Sequence, residues 1–454
     1  MAHEATSRKT PLALRLRRAL ALAVRRAGES DALRPAMHIF VWSRVAILLV
    51  AIHAGLTLGP GGIPGANAQR FDESALTHPL DGVGDVLLSP LARWDAVWYL
   101  NIADSGYGGA DSPRSAFFPL YPLLVRGAGE LGGGSRGALL VGSYAVALAC
   151  LLAALVLLFR LAALELGRRL AVPTLLLLCA FPASLFFGAP YSESLFLLAS
   201  VGAFYAARTG RWAWAGIAGA AASGTRSAGI LLLVPLVILY LYGPRSDRPP
   251  ERVEGRTGWL GSLRPVYAIR ADAAWLLLAP AGLAAYATYL GVSYGDPLAF
   301  SSVQEFWARD FAGPLGGAWD GLVAAWAGAR QVLSGSRETV YFAAAAGDPF
   351  RVAAHNLVLF GFLVFGMAAT VGMLRRLPFA YGAYVACALM LPLSFPVGPQ
   401  PLMSLPRFLV VLFPIFMWLA LVCERRDMTA QVAAASAVVL GLFVTQFAVW
   451  YWVA

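Results

Sequence analysis

Residues 138–159 read ALLVGSYAVALACLLAALVLLF, a run of 22 residues without a charged side chain. A helix needs about 20 mainly apolar residues to cross a bilayer. Because lipid offers the backbone no hydrogen-bond partners, such a run must be helical where it crosses. Similar runs predict an all-α polytopic membrane protein with about eleven transmembrane helices, near residues 38–58, 138–159, 171–189, 191–207, 212–224, 228–243, 271–291, 352–374, 378–396, 408–423 and 429–452.

The composition of the whole chain also indicates a membrane protein. Hydrophobic residues make up 59% of the sequence and charged residues 13%, whereas soluble domains carry roughly 25% charged residues. The net charge of +10 comes from short basic clusters between apolar runs, which is the pattern of the positive-inside rule. We therefore expect membrane lipids, and no nucleic acid, as partners.

The charge distribution predicts a topology. If the predicted helices alternate in direction, every compact basic cluster falls on the cytoplasmic side. A basic cytoplasmic N-terminal segment, 1–37, then precedes a single transmembrane domain, 38–454. The other side of the membrane receives two long outer loops, roughly 59–137 and 292–351. The first loop is net acidic and long for a structureless connection, which indicates function.

Segment 89–106 in the first outer loop has the signals of a short helix. Ser89 suits the N-cap, Pro90 the first helical position, and Gly106 the end. We predict an amphipathic helix lying in the membrane interface, because one face at helical spacing is apolar and rich in tryptophan: Leu91, Trp94, Trp98 and Ile102.

Asp95 lies at the edge of that apolar face, with Tyr99 one turn further on. A carboxylate at an apolar boundary suits a general base. An exposed interfacial carboxylate without a catalytic role explains the pattern equally well. Arg93 is two residues away and points elsewhere on a helix, so it is a poor partner for Asp95.

Tyr191, Ser192 and Glu193 lie at the predicted outer turn between two spans. An acidic side chain there can bind an acceptor hydroxyl or a cation. Ser192 and Glu193 also suit a helix N-terminus, and the residues alone favour this helix-cap interpretation.

Arg226, followed by Ser227, and Arg407 are the two basic residues that break the positive-inside pattern near span ends. An arginine at this depth either extends its head to the interface or pairs with an anion. Two such arginines on one face fit a lipid phosphate, which guanidinium binds bidentately.

Asp296 and His355 are further polar residues predicted on the outer side. Asp296 lies in Gly-Asp-Pro, which is more often a turn than a site, and a lone histidine is more often structural than catalytic. The sequence has no P-loop, dinucleotide fingerprint, zinc ligand set or Asp-x-Asp motif. The chemistry should therefore not need a nucleotide-sugar domain.

Taken together, these motifs resemble the PIG-V family of mannosyltransferases. The resemblance runs from about residue 90 to 415 and is carried by Trp94-Asp95, Tyr99, Ile102-Ala103, Gly106-Tyr107, Phe117-Phe118-Pro119-Leu120-Tyr121-Pro122, Pro182-Ala183-Ser184-Leu185-Phe186-Phe187, Tyr191-Ser192-Glu193-Ser194-Leu195-Phe196, Thr225-Arg226-Ser227, Arg407-Phe408 and Phe413-Pro414.

The resemblance implies a GT-C glycosyltransferase fold with an interfacial helix in the first outer loop and an acidic catalytic base there. The implied donor is a polyprenyl-phosphate sugar, usually mannose. The family's usual Arg-Ser-Asn appears here as Arg226-Ser227-Ala228. The basic N-terminus and GC-like composition suggest a bacterial member in the plasma membrane, so the acceptor, whether glycolipid, glycan or protein, is not implied.

The expected mechanism is inverting transfer on the extracytoplasmic face, with Asp95 as general base. Arg226, Arg407 and His355 are predicted to bind the donor phosphate. The predicted substrate pocket contains Trp94, Tyr99, Tyr191, Glu193, Ser227 and Asp296. No cofactor is expected, because a monophosphate leaves with less charge to neutralise than a diphosphate; loss of activity in a chelator would instead make Asp95 and Glu193 candidate metal ligands.

Two alternatives come from other classes. A lipid-linked sugar transporter or flippase predicts internal pseudo-symmetry and charged residues near the bilayer midplane, whereas the polar residues of this sequence gather at one face. A non-catalytic binding subunit would tolerate the loss of Asp95.

Overall fold

The computed structural model describes residues 12–58, 72–250, 264–341, 348–398 and 400–453, and the side chains from Ala32 onward. The α-helices are α1 Leu12–Leu58, α2 Ser74–Thr77, α3 Gly82–Leu88, α4 Asp95–Ser105, α5 Leu120–Leu131, α6 Arg136–Leu166, α7 Arg168–Ala180, α8 Glu193–Arg208, α9 Trp212–Thr225, α10 Leu233–Tyr242, α11 Ala281–Tyr294, α12 Ala299–Ser302, α13 Gly316–Ser334, α14 Pro349–Arg376, α15 Phe379–Ser394, α16 Leu405–Val410, α17 Pro414–Arg425 and α18 Thr429–Ala448. The 3₁₀ helices are Ser89–Leu91, Pro113–Ala116, Pro182–Gly188, Ser227–Leu232, Ala271–Leu278 and Val303–Trp307.

Every segment predicted as a span is mainly helical. Among the described residues, four helices are long and apolar enough to cross a membrane alone: residues 32–58 of α1, α6, α14 and α18. Two bent pairs raise the number to six if each pair is one span. The chain is therefore an integral membrane protein whose described part is all-helical, and the figure of eleven spans stays a prediction. The first 11 residues of the basic segment 1–37, and residues 59–71 of the first outer loop, lie outside the described residues.

Local sequence signals explain several helix ends. Ser135 caps α6 by accepting a hydrogen bond from the Ala138 backbone N–H at 3.1 Å, and Asp348 caps α14 through the Phe350 N–H at 3.0 Å. Both follow from the preference of N-caps for short polar side chains. The core lies where α6 packs against α5, α7 and α8, and where α9 packs against α8.

One end of the helix bundle is closed by a buried ion pair. Arg208, at the end of α8, donates through Nε to Glu165 near the end of α6. The Tyr381 hydroxyl donates to the same carboxylate oxygen at 2.8 Å. Glu165 is therefore satisfied away from water by a charged and a neutral donor, as a buried charge requires.

Segment 89–106 differs from its prediction. Only Ser89–Leu91 forms a 3₁₀ turn, and the α-helix begins at Asp95 because Trp94 has φ +57° and breaks the chain direction. Gly106 ends the helix as predicted, with φ +78°. Residues 96–103 are all buried, so α4 lies inside the protein rather than presenting one apolar face to an interface.

Arg44 is a charged residue that does not figure among the predictions from the sequence. It lies near the middle of the apolar stretch 32–58 and is buried, which contradicts the expectation that polar residues gather at one face. Its Nη1 donates to the Ser184 carbonyl at 2.7 Å. Ser184 lies where α7 and Pro182–Gly188 bend by 87°. Arg44 thus satisfies a backbone acceptor that the broken helix leaves open.

Candidate active site

An antiparallel hairpin of α8 and α9 brings together two of the predicted site residues. Glu193 is the first residue of α8 and Arg226 follows the last residue of α9. The turn between them contains Gly210 at φ +72°. Arg226 Nη1 donates to Glu193 Oε1 at 2.6 Å. Ser192 is the N-cap residue of α8 and Glu193 lies in its first turn, as the helix-cap interpretation predicts, but the Ser192 side chain makes no cap hydrogen bond.

The position of Asp95 depends on two hydrogen bonds of Tyr191 that hold the backbone on both sides of Trp94. We call them the Tyr191 clamp. The Tyr191 hydroxyl donates to the Arg93 carbonyl at 2.9 Å and accepts from the Asp95 backbone N–H at 3.1 Å. It therefore bridges both sides of Trp94. A non-glycine residue at such a φ costs about 1–3 kcal/mol and persists only where its surroundings hold it. This clamp fixes where α4 begins and where the Asp95 carboxylate points.

Arg407 joins the hairpin to Asp95. Its Nη1 donates to Asp95 Oδ2 and its Nε donates to Glu193 Oε1. The guanidinium carbon lies 4.7 Å from the centroid of the Tyr191 ring. The short helix α16 that carries Arg407 follows Ser404, a second non-glycine residue with positive φ (+72°). Asp95, Arg407, Glu193 and Arg226 thus form one network, which we call the four-residue ion network.

Burial is graded along the four-residue ion network. The side chain of Glu193 is 0% exposed and that of Arg407 5%, whereas Arg226 is 16% and Asp95 19% exposed. The open edge therefore carries Asp95 and Arg226. Within the described residues, the buried Glu193 Oε2 has no hydrogen-bond partner. A buried unsatisfied acceptor calls for an explanation, and a hydroxyl of a bound ligand would satisfy it.

Arg309 is a further residue of the candidate site, and it was not predicted from the sequence. Its guanidinium carbon lies 5.7 Å from the centroid of the Phe408 ring, and that of Arg226 lies 5.6 Å from the same centroid. Its Nη1 donates to the Phe395 carbonyl at 3.1 Å. Burial lowers the pKa of Arg309 to about 10, while Asp95 acts to raise that pKa, so the group is charged at neutral pH. It lies in a loop without periodicity, so no local signal distinguished it.

Aromatic rings form a wall beside the four-residue ion network. Trp98 stacks on Phe117 with ring centroids 6.1 Å apart, and the edge of Trp307 meets both rings. The hydroxyls of Tyr99 and Ser192 are hydrogen-bonded at 2.7 Å. Burial raises the pKa of Tyr99 to about 12, so its hydroxyl stays neutral. Such rings present the apolar faces on which a sugar ring can rest.

Four further predicted site residues are not members of the four-residue ion network. Asp296 accepts from the Leu298 N–H at 2.8 Å and so holds a turn, which is the commoner role of Gly-Asp-Pro. His355 lies in α14, and the described residues offer its buried Nε2 no partner. Trp94 packs edge-on against Trp450 and Trp452. Ser227 is exposed beside Arg226.

These contacts change the predicted role of one arginine and agree with the prediction for another. Arg407, predicted to bind phosphate, instead uses Nη1 and Nε to hold two carboxylates, which makes it an orienting residue. Arg93 stacks 4.2 Å from the Trp450 centroid and is no partner of Asp95, as predicted. Within the described residues, no group of three or more His, Cys, Asp or Glu side chains is arranged to hold a metal ion.

The Tyr191 clamp can be tested with Tyr191→Phe, which keeps the ring and removes the hydroxyl. Two buried backbone groups would lose their partner, and leaving a buried polar group unsatisfied costs about 1–3 kcal/mol. We expect a lower unfolding temperature and a lower activity. Tyr205→Phe on the same helix is the matched control, because the described residues offer its hydroxyl no partner. Equal stability and activity of the two variants would show that the clamp is dispensable.

Part of the chain is similar to a family of known proteins. Residues 36–241 match the family model described as Mannosyltransferase (PIG-V). The chain is 34% identical over 178 residues to the GPI alpha-1,6-mannosyltransferase 2 of Rattus norvegicus, covering 37% of this chain and 36% of that protein. For the Mus musculus protein the identity is 36% over 180 residues, covering 38% and 36%. The match therefore spans about a third of the length of these relatives.

Solved structures show a distant likeness. The crystal structure of the Archaeoglobus fulgidus oligosaccharyltransferase with zinc and sulfate aligns with a TM-score of 0.42 and 15% identity, covering 79% of this chain and 48% of that chain. The archaeal oligosaccharyltransferase in complex with an inhibitory peptide and a dolichol-phosphate aligns with a TM-score of 0.39 and 13% identity, covering 89% and 55%.

Part of the candidate site lies within the residues that match the family model, and part lies beyond them. Asp95, Tyr191, Glu193 and Arg226 lie within the matched residues, whereas Arg309 and Arg407 lie beyond them. The later part of the resemblance, from Arg407-Phe408 to Phe413-Pro414, stays a prediction. The match covers residues 36–241, which contain both carboxylates of the site, so this part of the chain is similar to the mannosyltransferase (PIG-V) family.

Proposed function

We propose that the chain is an inverting membrane glycosyltransferase that moves a hexose, mannose by family habit, from a polyprenyl-phosphate donor to an acceptor hydroxyl. The observation that carries the proposal is the four-residue ion network. It places a partly exposed carboxylate beside guanidinium groups, the two kinds of charge that the reaction needs. The proposed site faces the non-cytoplasmic side, and the membrane is that of a bacterium.

In the proposed reaction Asp95 acts as the general base. Asp95 Oδ2 is held by Arg407, while the described residues offer Oδ1 no partner. The acceptor hydroxyl gives its proton to Oδ1 as its oxygen forms a bond to the anomeric carbon. The bond from that carbon to the phosphate oxygen breaks, and polyprenyl monophosphate leaves. Attack opposite the leaving group inverts the configuration.

The leaving phosphate is the proposed ligand of Arg226 and Arg309. Both guanidinium groups lie against Phe408, and Arg226 uses only Nη1 for Glu193 among its described contacts. Fixed cations stabilise negative charge that develops as the bond breaks. The site has three arginines against two carboxylates, so it has a net positive charge that an anionic donor would offset. His355 is not needed in this scheme.

The direct test of function is a transfer assay in membranes with labelled polyprenyl-phosphate mannose, followed by product identification. A parallel arm with a labelled nucleotide sugar tests the donor class. Another arm with chelator tests the proposal that transfer needs no metal. The proposed donor class is wrong if only the nucleotide sugar labels a product.

Arg309→Gln is expected to raise the KM for the lipid donor by about 10- to 100-fold, because a charge-assisted hydrogen bond is worth about 1.5–3 kcal/mol. The turnover number should fall less. Arg330→Gln is the matched control, since Arg330 also lies against an aromatic ring, that of Tyr341 at 4.1 Å, but outside the site. A donor KM for Arg309→Gln equal to that of the control would remove Arg309 from the phosphate site.

A transporter remains the second candidate because of Arg44, a charged residue in mid-span. Its hydrogen bond to the Ser184 carbonyl gives it a structural role, which favours the enzyme. A transporter would move lipid-linked sugar across vesicles that contain the purified chain without forming a new glycosidic bond.

A further inference from the structure

A polar cavity lies at the end of the helix bundle opposite Asp95. It has a volume of about 250 Å³ and lies between the last turns of α14 and α17. The 12-residue helix α17 begins seven residues after Arg407, and it carries the chain about 18 Å along its axis. The cavity is lined by Gly372, Arg375, Arg376, Trp418, Arg425 and Arg426.

The four arginines lack carboxylate partners among the described residues. In the described part of the chain none of them forms an ion pair, and the neighbouring Glu424 is engaged with Arg169 at 2.5 Å. Each helix C-terminus carries a partial charge of roughly −0.5, so two helix ends offset about one positive charge. Even if the exposed Asp427 offsets another, a charge of about +2 remains on one small cavity.

The floor of the cavity is built by a close contact between the two helices. A Cβ added at Gly372 would collide with the indole nitrogen of Trp418, so only glycine lets the ring lie this close. The Trp418 N–H has no hydrogen-bond partner within the described residues. The cavity therefore combines guanidinium groups with a neutral donor, and exposed Val371 and Leu374 lie next to its lining residues Gly372 and Arg375 in α14.

We infer that this cavity binds the phosphate headgroup of an anionic membrane phospholipid. Guanidinium matches phosphate oxygens bidentately, and basic pockets between transmembrane helices bind such headgroups. A lipid is favoured over free phosphate because the exposed apolar residues beside the cavity would contact its acyl chains. The inference is independent of the proposed sugar transfer.

The test uses the full chain, purified in detergent and stripped of lipid, with native mass spectrometry as the readout. Wild type should bind one phosphatidylglycerol in preference to phosphatidylcholine. Arg375→Gln with Arg426→Gln should weaken this binding by about 10-fold or more, since charge-assisted hydrogen bonds are lost. Arg160→Gln with Arg211→Gln is the control, because it removes two charges predicted on the same face but outside the cavity.

Gly372→Leu changes the shape of the cavity without changing its charge. It keeps all four arginines but displaces the Trp418 ring, so it should also weaken phosphatidylglycerol binding. Gel filtration and thermal unfolding check that each variant is folded. The inference is overturned if the control weakens binding as much as the cavity variant, if Gly372→Leu binds like wild type, or if inorganic phosphate at equal concentration displaces the lipid.

Discussion

Asp95→Asn is expected to lower sugar transfer by about 10²- to 10⁴-fold, the usual contribution of a general base. Asparagine keeps the shape of the side chain and can still accept a hydrogen bond from Arg407, but it cannot take a proton from the acceptor hydroxyl. Initial rates of transfer from labelled polyprenyl-phosphate mannose measure the effect. The donor KM should change little, because Arg226 and Arg309 are untouched.

The matched control for this variant is Asp111→Asn, which removes an exposed carboxylate from the same outer loop. It should transfer sugar at the wild-type rate. If Asp95→Asn retains wild-type turnover, Asp95 is not the base, and the non-catalytic binding subunit becomes the better description. A folded but inactive Asp95→Asn variant excludes that description.

Arg407→Gln is expected to have the largest effect on stability. It removes the cation that holds both carboxylates, and Glu193 is fully buried. Breaking a buried ion pair by removing one partner typically costs about 3–5 kcal/mol, and Glu193 would keep only Arg226 as a charged partner among the described contacts. We expect a clearly lower unfolding temperature in detergent and loss of transfer, since Asp95 Oδ2 also loses its partner.

Two further variants separate this explanation from a general loss of charge. Arg136→Gln breaks a half-exposed pair with Asp104 at 3.3 Å, and pairs of that kind are worth about 0–1 kcal/mol. Combining Arg407→Gln with Glu193→Gln should recover part of the lost stability, because it removes the buried charge left behind. If Arg407→Gln is no less stable than Arg136→Gln, the four-residue ion network does not stabilise the fold.

Part of the candidate site was predictable because its geometry is local. Two apolar helices joined by a short turn must run antiparallel, so Glu193 and Arg226 had to meet at one end of the α8–α9 hairpin. Gly106 could be recognised as a helix end because its residue type suits a left-handed backbone. The start of α4 could not be recognised, because the positive φ of Trp94 depends on a hydroxyl 97 residues further along the chain.

The sequence by itself determined that this protein lies in lipid, that its fold is helical and that acidic residues occupy its turns and loops. These features depend on composition and on periodicity within a few turns of helix. Only the tertiary structure decided that Arg407 joins Asp95, 312 residues away, to Glu193, and that Arg309 lies beside Arg226 on Phe408. The physical reason is that an ion pair between distant segments depends on how whole helices pack, which no short stretch of residues specifies.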